Sequence, residues 1–202
     1  MRANEHASLL EALSERLLAD YTQELWRKVF LGPGYERIRF ERETVTFLCT
    51  DTLDFDWTPE EIGRTAARHD GRVERCDQRC VLVFARARDA LQMALLLQRS
   101  SSYSLRMTLL TTDSTSAVFE HEDGERRLAI GPEAREAGDS AERLPPGSIH
   151  ISAETCQSLG PSSSWQPRAA RLASALQGDT AVTLALSPRR AAMGACAELG
   201  LA

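Results

Sequence analysis

The sequence predicts an α/β protein of the α+β kind, an antiparallel-rich sheet with helices on one face, entered through an amphipathic helical segment. Three observations carry this. Short runs rich in β-branched and aromatic residues alternate with stretches whose apolar residues recur every three or four positions. Two pairs of such runs sit close together about turn residues, as hairpins do. The resulting order is strand, helix, hairpin, helix, hairpin, helix, strand. With 202 residues and 43% hydrophobic content, the chain can bury the core of one ordinary domain and carry a helical extension.

Residues 1–34 are expected to form that extension. Leu10, Leu13, Leu17 and Tyr21, then Leu25, Trp26, Val29 and Phe30, recur at helical spacing with charges between them, as one helix or two in succession. Their apolar face either packs on its own domain or pairs with a second copy, since Leu10, Leu13 and Leu17 follow heptad spacing. Leu31-Gly32-Pro33-Gly34 breaks the helix, and residues 35–42 form a polar, extended link.

The main domain is expected over residues 35–186. Its first strand, Thr44-Val45-Thr46-Phe47-Leu48-Cys49-Thr50, has no Gly or Pro, reads as buried on both faces, and leaves the core at a carboxylate, Asp51. Thr58-Pro59-Glu60-Glu61 starts a helix with Pro at its first position and acids in its first turn. That helix runs to about His69, and Asp70-Gly71 turns the chain. Residues 72–76 and 80–85 form a hairpin about Asp77-Gln78-Arg79, and residues 87–99 carry Ala90, Leu91, Ala94, Leu95 and Leu97 at helical spacing. Residues 105–110 and 115–120 read as two strands about Thr112-Asp113-Ser114, with Gly124 marking a second turn before residues 127–130. A helix at 153–159, a loop at 161–166 and a last pair of strands within 172–186 complete the domain. Residues 187–202, rich in Ala and Gly, form a weakly structured tail.

A net charge of −5, with Arg mixed among Asp and Glu throughout, argues against nucleic acid as the main partner. No stretch reaches the length of a membrane span, and residues 1–18 lack a signal peptide's apolar block, so a cytoplasmic protein is expected. Cys49, Cys76, Cys80, Cys156 and Cys196 are odd in number and sit in apolar surroundings, as reduced thiols do. Cys76 and Cys80 with His69 match no common zinc spacing.

Two of these stretches resemble the catalytic domains of class III nucleotidyl cyclases. Leu48-Cys49-Thr50-Asp51-Thr52-Leu53-Asp54-Phe55 lies along that family's first strand, F-x-D-I-x-x-F. The residues Ala129-Ile130-Gly131-Pro132-Glu133-Ala134-Arg135-Glu136-Ala137-Gly138-Asp139, continuing to Pro146-Gly147-Ser148-Ile149-His150-Ile151-Ser152, run without a gap along its I-G-x-x-V-N-x-A-x-R … P-G-x-I-x-I-S segment. His69-Asp70-Gly71-Arg72-Val73 also resembles the start of the family's hairpin, H-G-G-x-V. The resemblance covers most of residues 13–186 and implies a ferredoxin-like sheet of the cyclase type, with the N-terminal helix as a juxta-catalytic segment.

What the resemblance implies for chemistry is attack of a ribose 3′-oxygen on the α-phosphorus of a nucleoside triphosphate, with two metal ions and nearby cations meeting the developing charge. The family's metal-binding Asp pair would fall on Asp51 and, at the hairpin tip, on Gln78, with Asp77 one residue out of register. The ribose-orienting Asn becomes Arg135, and the Arg that meets the transition-state phosphate becomes Asp139. The base-selecting positions fall near Glu74 and on Leu128, and Asp54 stands where the family has Gly. These departures predict a degenerate, catalytically inactive cyclase domain with no cofactor. It is expected to act as a dimerising regulatory or scaffolding module in bacterial intracellular signalling, as a homodimer or with another signalling protein. Two alternatives stay open. One is an active adenylate or guanylate cyclase using Asp51 and Asp77 with Mg²⁺ or Mn²⁺. The other is a sensor holding a nucleotide or other anion in the old cleft through Arg135 and Arg79, with Arg126 or Arg127 nearby. Against the second, these arginines have Glu133, Glu136 and Asp139 within pairing distance along a helix.

Overall fold

The computed structural model of the chain describes residues 3–51, 57–76, 79–102, 104–121, 124–159 and 182–185. The expected tail at 187–202, the loop at 161–166 and most of the last strand pair lie outside the described residues.

Two helices open the chain, α1 (Ala3–Asp20) and α2 (Gln23–Leu31). They are separate because Thr22 takes an extended conformation and caps α2, its hydroxyl accepting the Leu25 N–H at 3.3 Å. The domain then runs β1 (Arg39–Thr50), α3 (Pro59–Arg68), β2 (Gly71–Cys76), β3 (Cys80–Phe84), α4 (Ala87–Ser100), β4 (Met107–His121), β5 (Gly124–Ala129), α5 (Glu133–Glu142), β6 (Ser148–Ile151), α6 (Ala153–Leu159) and β7 (Val182–Ala185). The start of α3 is the one its sequence announces: Thr58 and Glu61 form a reciprocal capping box with Pro59 behind it. Asp70 takes a left-handed φ of 53°, and Gly71 lies opposite Phe84 so closely that a Cβ there would overlap the ring.

The strands form one sheet in the order β2-β3-β1-β4-β6-β7, with β5 beside the far end of β4, and every pairing is antiparallel except β4 with β6. Its spine is the β1–β4 ladder, unbroken from Arg39↔Val118 to Thr50↔Met107. That ladder corrects one expectation. Thr112-Asp113-Ser114 is no turn; residues 107–121 are a single strand in which Asp113 faces Thr44 and accepts its hydroxyl at 2.5 Å. The local turn preference of Asp and Ser loses to the continuous β1 ladder, whose backbone pairing runs through these residues.

β1 is buried on both faces from Val45 to Thr50, as the composition of that half indicates. Leu48 joins Leu82, Phe84, Leu109 and Ile149 under Ile62 and Ala66 of α3 and Ala90, Met93 and Leu97 of α4, with Cys156 and Leu159 of α6 at the margin. On the opposite face Val45, Phe47 and Cys49 pack with Val81 and Val83 beneath Ala134 and Ala137 of α5. The helix layer thus differs from the expected single face in this respect: α5 covers the second face, which would otherwise leave Phe47 in water. A chain of buried hydroxyls, Thr46 to Thr111 to Thr155 at 2.9 Å each, ties β1 through β4 to α6.

The N-terminal helices belong to the same body. Leu13 and Leu17 are fully buried, and with Leu25 and Val29 they pack on Ala117, Phe119, Leu128 and Ile130 of the β4–β5 ribbon. The leucines at heptad spacing therefore bury within their own chain. No helix among the described residues is long and apolar enough to cross a membrane.

Candidate functional site

Of the positions singled out by sequence, Arg79, Arg135 and Asp139 meet where the end of β1, the β2–β3 hairpin and α5 come together. Thr50, wholly buried, accepts the Cys80 N–H at 3.0 Å and so fixes the hairpin against the end of β1. Asp51 follows directly. Its side chain is only 9% exposed and both carboxylate oxygens are engaged by one residue: Oδ1 accepts the Arg106 backbone N–H at 3.0 Å and Oδ2 accepts Arg106 Nη1 at 3.0 Å. The Asp51 N–H in turn donates to the Arg106 carbonyl at 3.0 Å. The β1–β4 register, with Thr50 opposite Met107, places Arg106 one step further along, facing Asp51. The cation beside the candidate metal ligand is thus a guanidinium supplied by the chain. As arranged, each Asp51 oxygen accepts one hydrogen bond from Arg106, so a divalent ion bound there would share the carboxylate with the guanidinium or displace it.

Asp77 and Gln78 lie outside the described residues. Arg79, next along the hairpin, reaches α5, with Nη1 3.2 Å from Asp139 Oδ1 and Nη2 on Glu142. Two residues that the family resemblance marks separately, Arg79 and Asp139, therefore meet as an ion pair, across the cleft rather than along one helix. Gly138 permits this, since a Cβ there would stand 3.2 Å from Arg79 Nη1. Arg135 is exposed on α5 and forms no ion pair among the described residues. Arg126 and Arg127 point elsewhere: Arg126 lies over the Tyr21 ring at 5.1 Å, and Arg127 pairs with Glu41 at 2.7 Å.

Of the two base-selecting positions, Leu128 is core and Glu74 is 4% exposed. Glu74 Oε1 accepts the Ala129 N–H at 2.9 Å, while Oε2 is buried without a partner. Burial pushes this carboxyl above its ordinary value of 4.5, outweighing the Ala129 bond and the charges of Arg72 and Arg16. The folded state thus holds the Glu74 proton more tightly than the unfolded chain. Stability from this group is greatest below 4.5 and falls as pH climbs from there to the raised value, where the loss levels off. Glu74→Gln should remove that slope. Urea midpoints measured from about pH 4 to pH 8 should show the variant gaining on the parent chain as pH rises, and a constant or shrinking gap would refute the assignment.

The thiols are consistent with reduced cysteines. Cys49 is fully buried, its thiol pushed up to about 12 by burial, with Sγ 3.6 Å from the Ala134 carbonyl. Cys76 and Cys80, in no disulfide, face each other across the hairpin with Sγ atoms 3.7 Å apart.

Residues that sequence reasoning missed complete the cleft. The end of α1 brings Arg16 and Asp20 to the hairpin, where Asp20 pairs with Arg16 and, at 2.8 Å, with Arg75. Tyr21 fixes this approach, its hydroxyl donating to the Glu74 carbonyl at 2.6 Å. Nothing in the local pattern of α1 marks Arg16 as different from other charged residues of an amphipathic helix; only the docking of α1 does.

No protein-family model matches the chain, and no curated protein sequence matches it. Solved structures do. The catalytic core of a rhodopsin-guanylyl cyclase with converted specificity, in complex with ATPalphaS, aligns at a TM-score of 0.51 and 16% identity over 74% of this chain and 99% of that one. The adenylyl cyclase CyaB from P. aeruginosa aligns at a TM-score of 0.51 and 15% identity over 75% and 98%. The guanylate cyclase domain of RhGC from Catenaria anguillulae, in complex with GTP, aligns at 0.50 and 16% over 74% and 100%. The fold is therefore that of adenylyl and guanylyl cyclase catalytic domains, and the chain spans nearly the whole of each.

Proposed function

We propose that this chain is a degenerate cyclase domain that does not cyclise nucleotides and serves as a dimerising regulatory or scaffolding module in cytoplasmic signalling. The observation that carries the reading is the Asp51–Arg106 pair. A carboxylate that binds two catalytic cations in the family resemblance is here 9% exposed and hydrogen-bonded through both oxygens, by a backbone amide and a guanidinium. Asp139, where the resemblance calls for a cation, bears the opposite charge and is spent on Arg79. A site of this kind supplies no positive charge to a transferring phosphoryl group from the positions that should supply it.

Incubation with ATP and with GTP, each with Mg²⁺ or Mn²⁺, should yield no cyclic nucleotide by mass spectrometry. Cyclic product that disappears in Asp51→Ala would overturn the reading. On the same sample, light scattering across a concentration series should report a dimer; a monomer at high micromolar concentration would leave the non-cyclising half standing and remove the dimerising half.

A further inference from the structure

The two cysteines of the β2–β3 hairpin are cross-strand partners. Cys76 and Cys80 pair in register, and their Sγ atoms stand 3.7 Å apart on the sheet face that α3 and α4 cover. Directly opposed residues of an antiparallel pair share a face, which is what lets the two sulfurs meet. The Cys80 N–H donates to Thr50 on the β1 side, so it turns away from Cys76. The pair is therefore of the non-hydrogen-bonded kind, whose Cα atoms approach to about 4.5 Å, within the range of roughly 4.4–6.8 Å that disulfides span. Access differs between the two, since Cys80 is 0% exposed and Cys76 is only partly buried. Cys49 is the unreactive comparison: it packs on the opposite face, 0% exposed, with its thiol pushed up to about 12 by burial.

We propose that Cys76 and Cys80 form a redox-active dithiol that a hydroperoxide converts to a disulfide. Cys76 reacts first, because it is the one of the two that solvent reaches. Its sulfur attacks one peroxide oxygen: the O–O bond breaks, an S–O bond forms, and the second oxygen leaves as water with the thiol proton. Cys80 then attacks the Cys76 sulfur. The S–S bond forms as the S–O bond breaks, and the hydroxyl leaves as a second water with the Cys80 proton. Two electrons pass from the thiols to the peroxide, and an added thiol such as glutathione reverses the bond. The hairpin supplies proximity, since the resolving sulfur starts 3.7 Å away and must close to about 2.05 Å. Position gives the reaction a consequence. Cys80 carries the bond that pins the hairpin to the end of β1, and the adjacent Arg79 carries the ion pairs to Asp139 and Glu142 of α5. A cross-link here stiffens the hairpin where β1 and α5 both meet it. This chemistry is independent of whether nucleotides are cyclised.

The test begins with the full, reduced chain exposed to hydrogen peroxide, its remaining thiols alkylated in denaturant, and the chain digested with trypsin without reduction. Arg79 lies between the two cysteines, so cleavage there leaves them on separate peptides unless a disulfide joins them. Mass spectrometry should find Cys76 joined to Cys80 and Cys49 alkylated. Cys80→Ser should stop at the sulfenic acid on Cys76, trapped by dimedone, and Cys76→Ser should slow oxidation of Cys80 about tenfold or more. A second measurement separates the fold from mere closeness in sequence. In a glutathione redox buffer the disulfide should be favoured about tenfold more in the folded chain than in the chain unfolded by urea. By linkage, the oxidised chain should then melt about 4 °C above the reduced one. Two alkylated thiols at these positions after peroxide, a cross-link from Cys76 to another cysteine, or a disulfide no more favoured in the folded chain than in the unfolded one would overturn the pair.

Discussion

Leu17→Ala should lower the free energy of unfolding by about 3 kcal/mol, within the 2–5 kcal/mol that truncation of a buried leucine costs. Leu17 is 0% exposed and lies in a cluster with Leu13, Leu25 and Val29 from the helices and Ala117, Phe119, Leu128 and Ile130 from the β4–β5 ribbon. Removing its methyl groups leaves a void between a helix and a sheet, where rigid strands limit collapse. The loss should extend beyond α1. Asp20 and Tyr21, at and just after its end, hold Arg75 and the Glu74 carbonyl, so loosening the helix also loosens the hairpin. Urea unfolding followed by circular dichroism measures the cost, and light scattering on the same variant measures assembly. A cost below about 1 kcal/mol together with loss of the dimer would show that the leucines form a seam between copies rather than a core within one.

The elements that sequence made legible are those whose signals are local. Thr58, Pro59 and Glu61 specify the start of α3 within a single turn, and the double-sided apolar run from Val45 to Cys49 needs no partner to announce burial. Gly124, at a φ of 113°, stands at the turn where its sequence signal places one and opens β5. Long-range facts were not legible. Asp113 looks like a turn residue until Thr44 is known to lie opposite, and Arg106 looks like any arginine before a strand until Thr50 is known to face Met107. Of the positions that the family resemblance marked, Arg79 and Asp139 touch, and Arg79 and Arg135 line the same cavity. What it had no means to foresee was the occupant of each position's bonding capacity: the guanidinium on Asp51 and the α1 arginine at the back of the cleft.

Asp51→Ala should cost about 2–3 kcal/mol in the absence of any metal ion. Removing one partner of a buried pair costs roughly 3–5 kcal/mol, because the remaining charge stays desolvated. The figure here is discounted because the Arg106 side chain is 34% exposed and regains water. Asp51→Asn should cost nearly as much, since it keeps the bond from the Arg106 backbone N–H but loses the charge that holds the guanidinium. Arg106→Ala strands the carboxylate in the same way, and the double variant should be less damaged than the sum of the singles, with a coupling of about 1–2 kcal/mol. If Asp51 instead served a divalent ion in the parent chain, the pattern would invert. Asp51→Ala would cost little without metal, the parent would gain stability on addition of Mn²⁺, and Asp51 and Arg106 would show no coupling. Unfolding of the four chains with and without Mn²⁺ separates the two outcomes, because a cation and a guanidinium compete for the same two oxygens and only one of them is covalently tethered to the opposite strand.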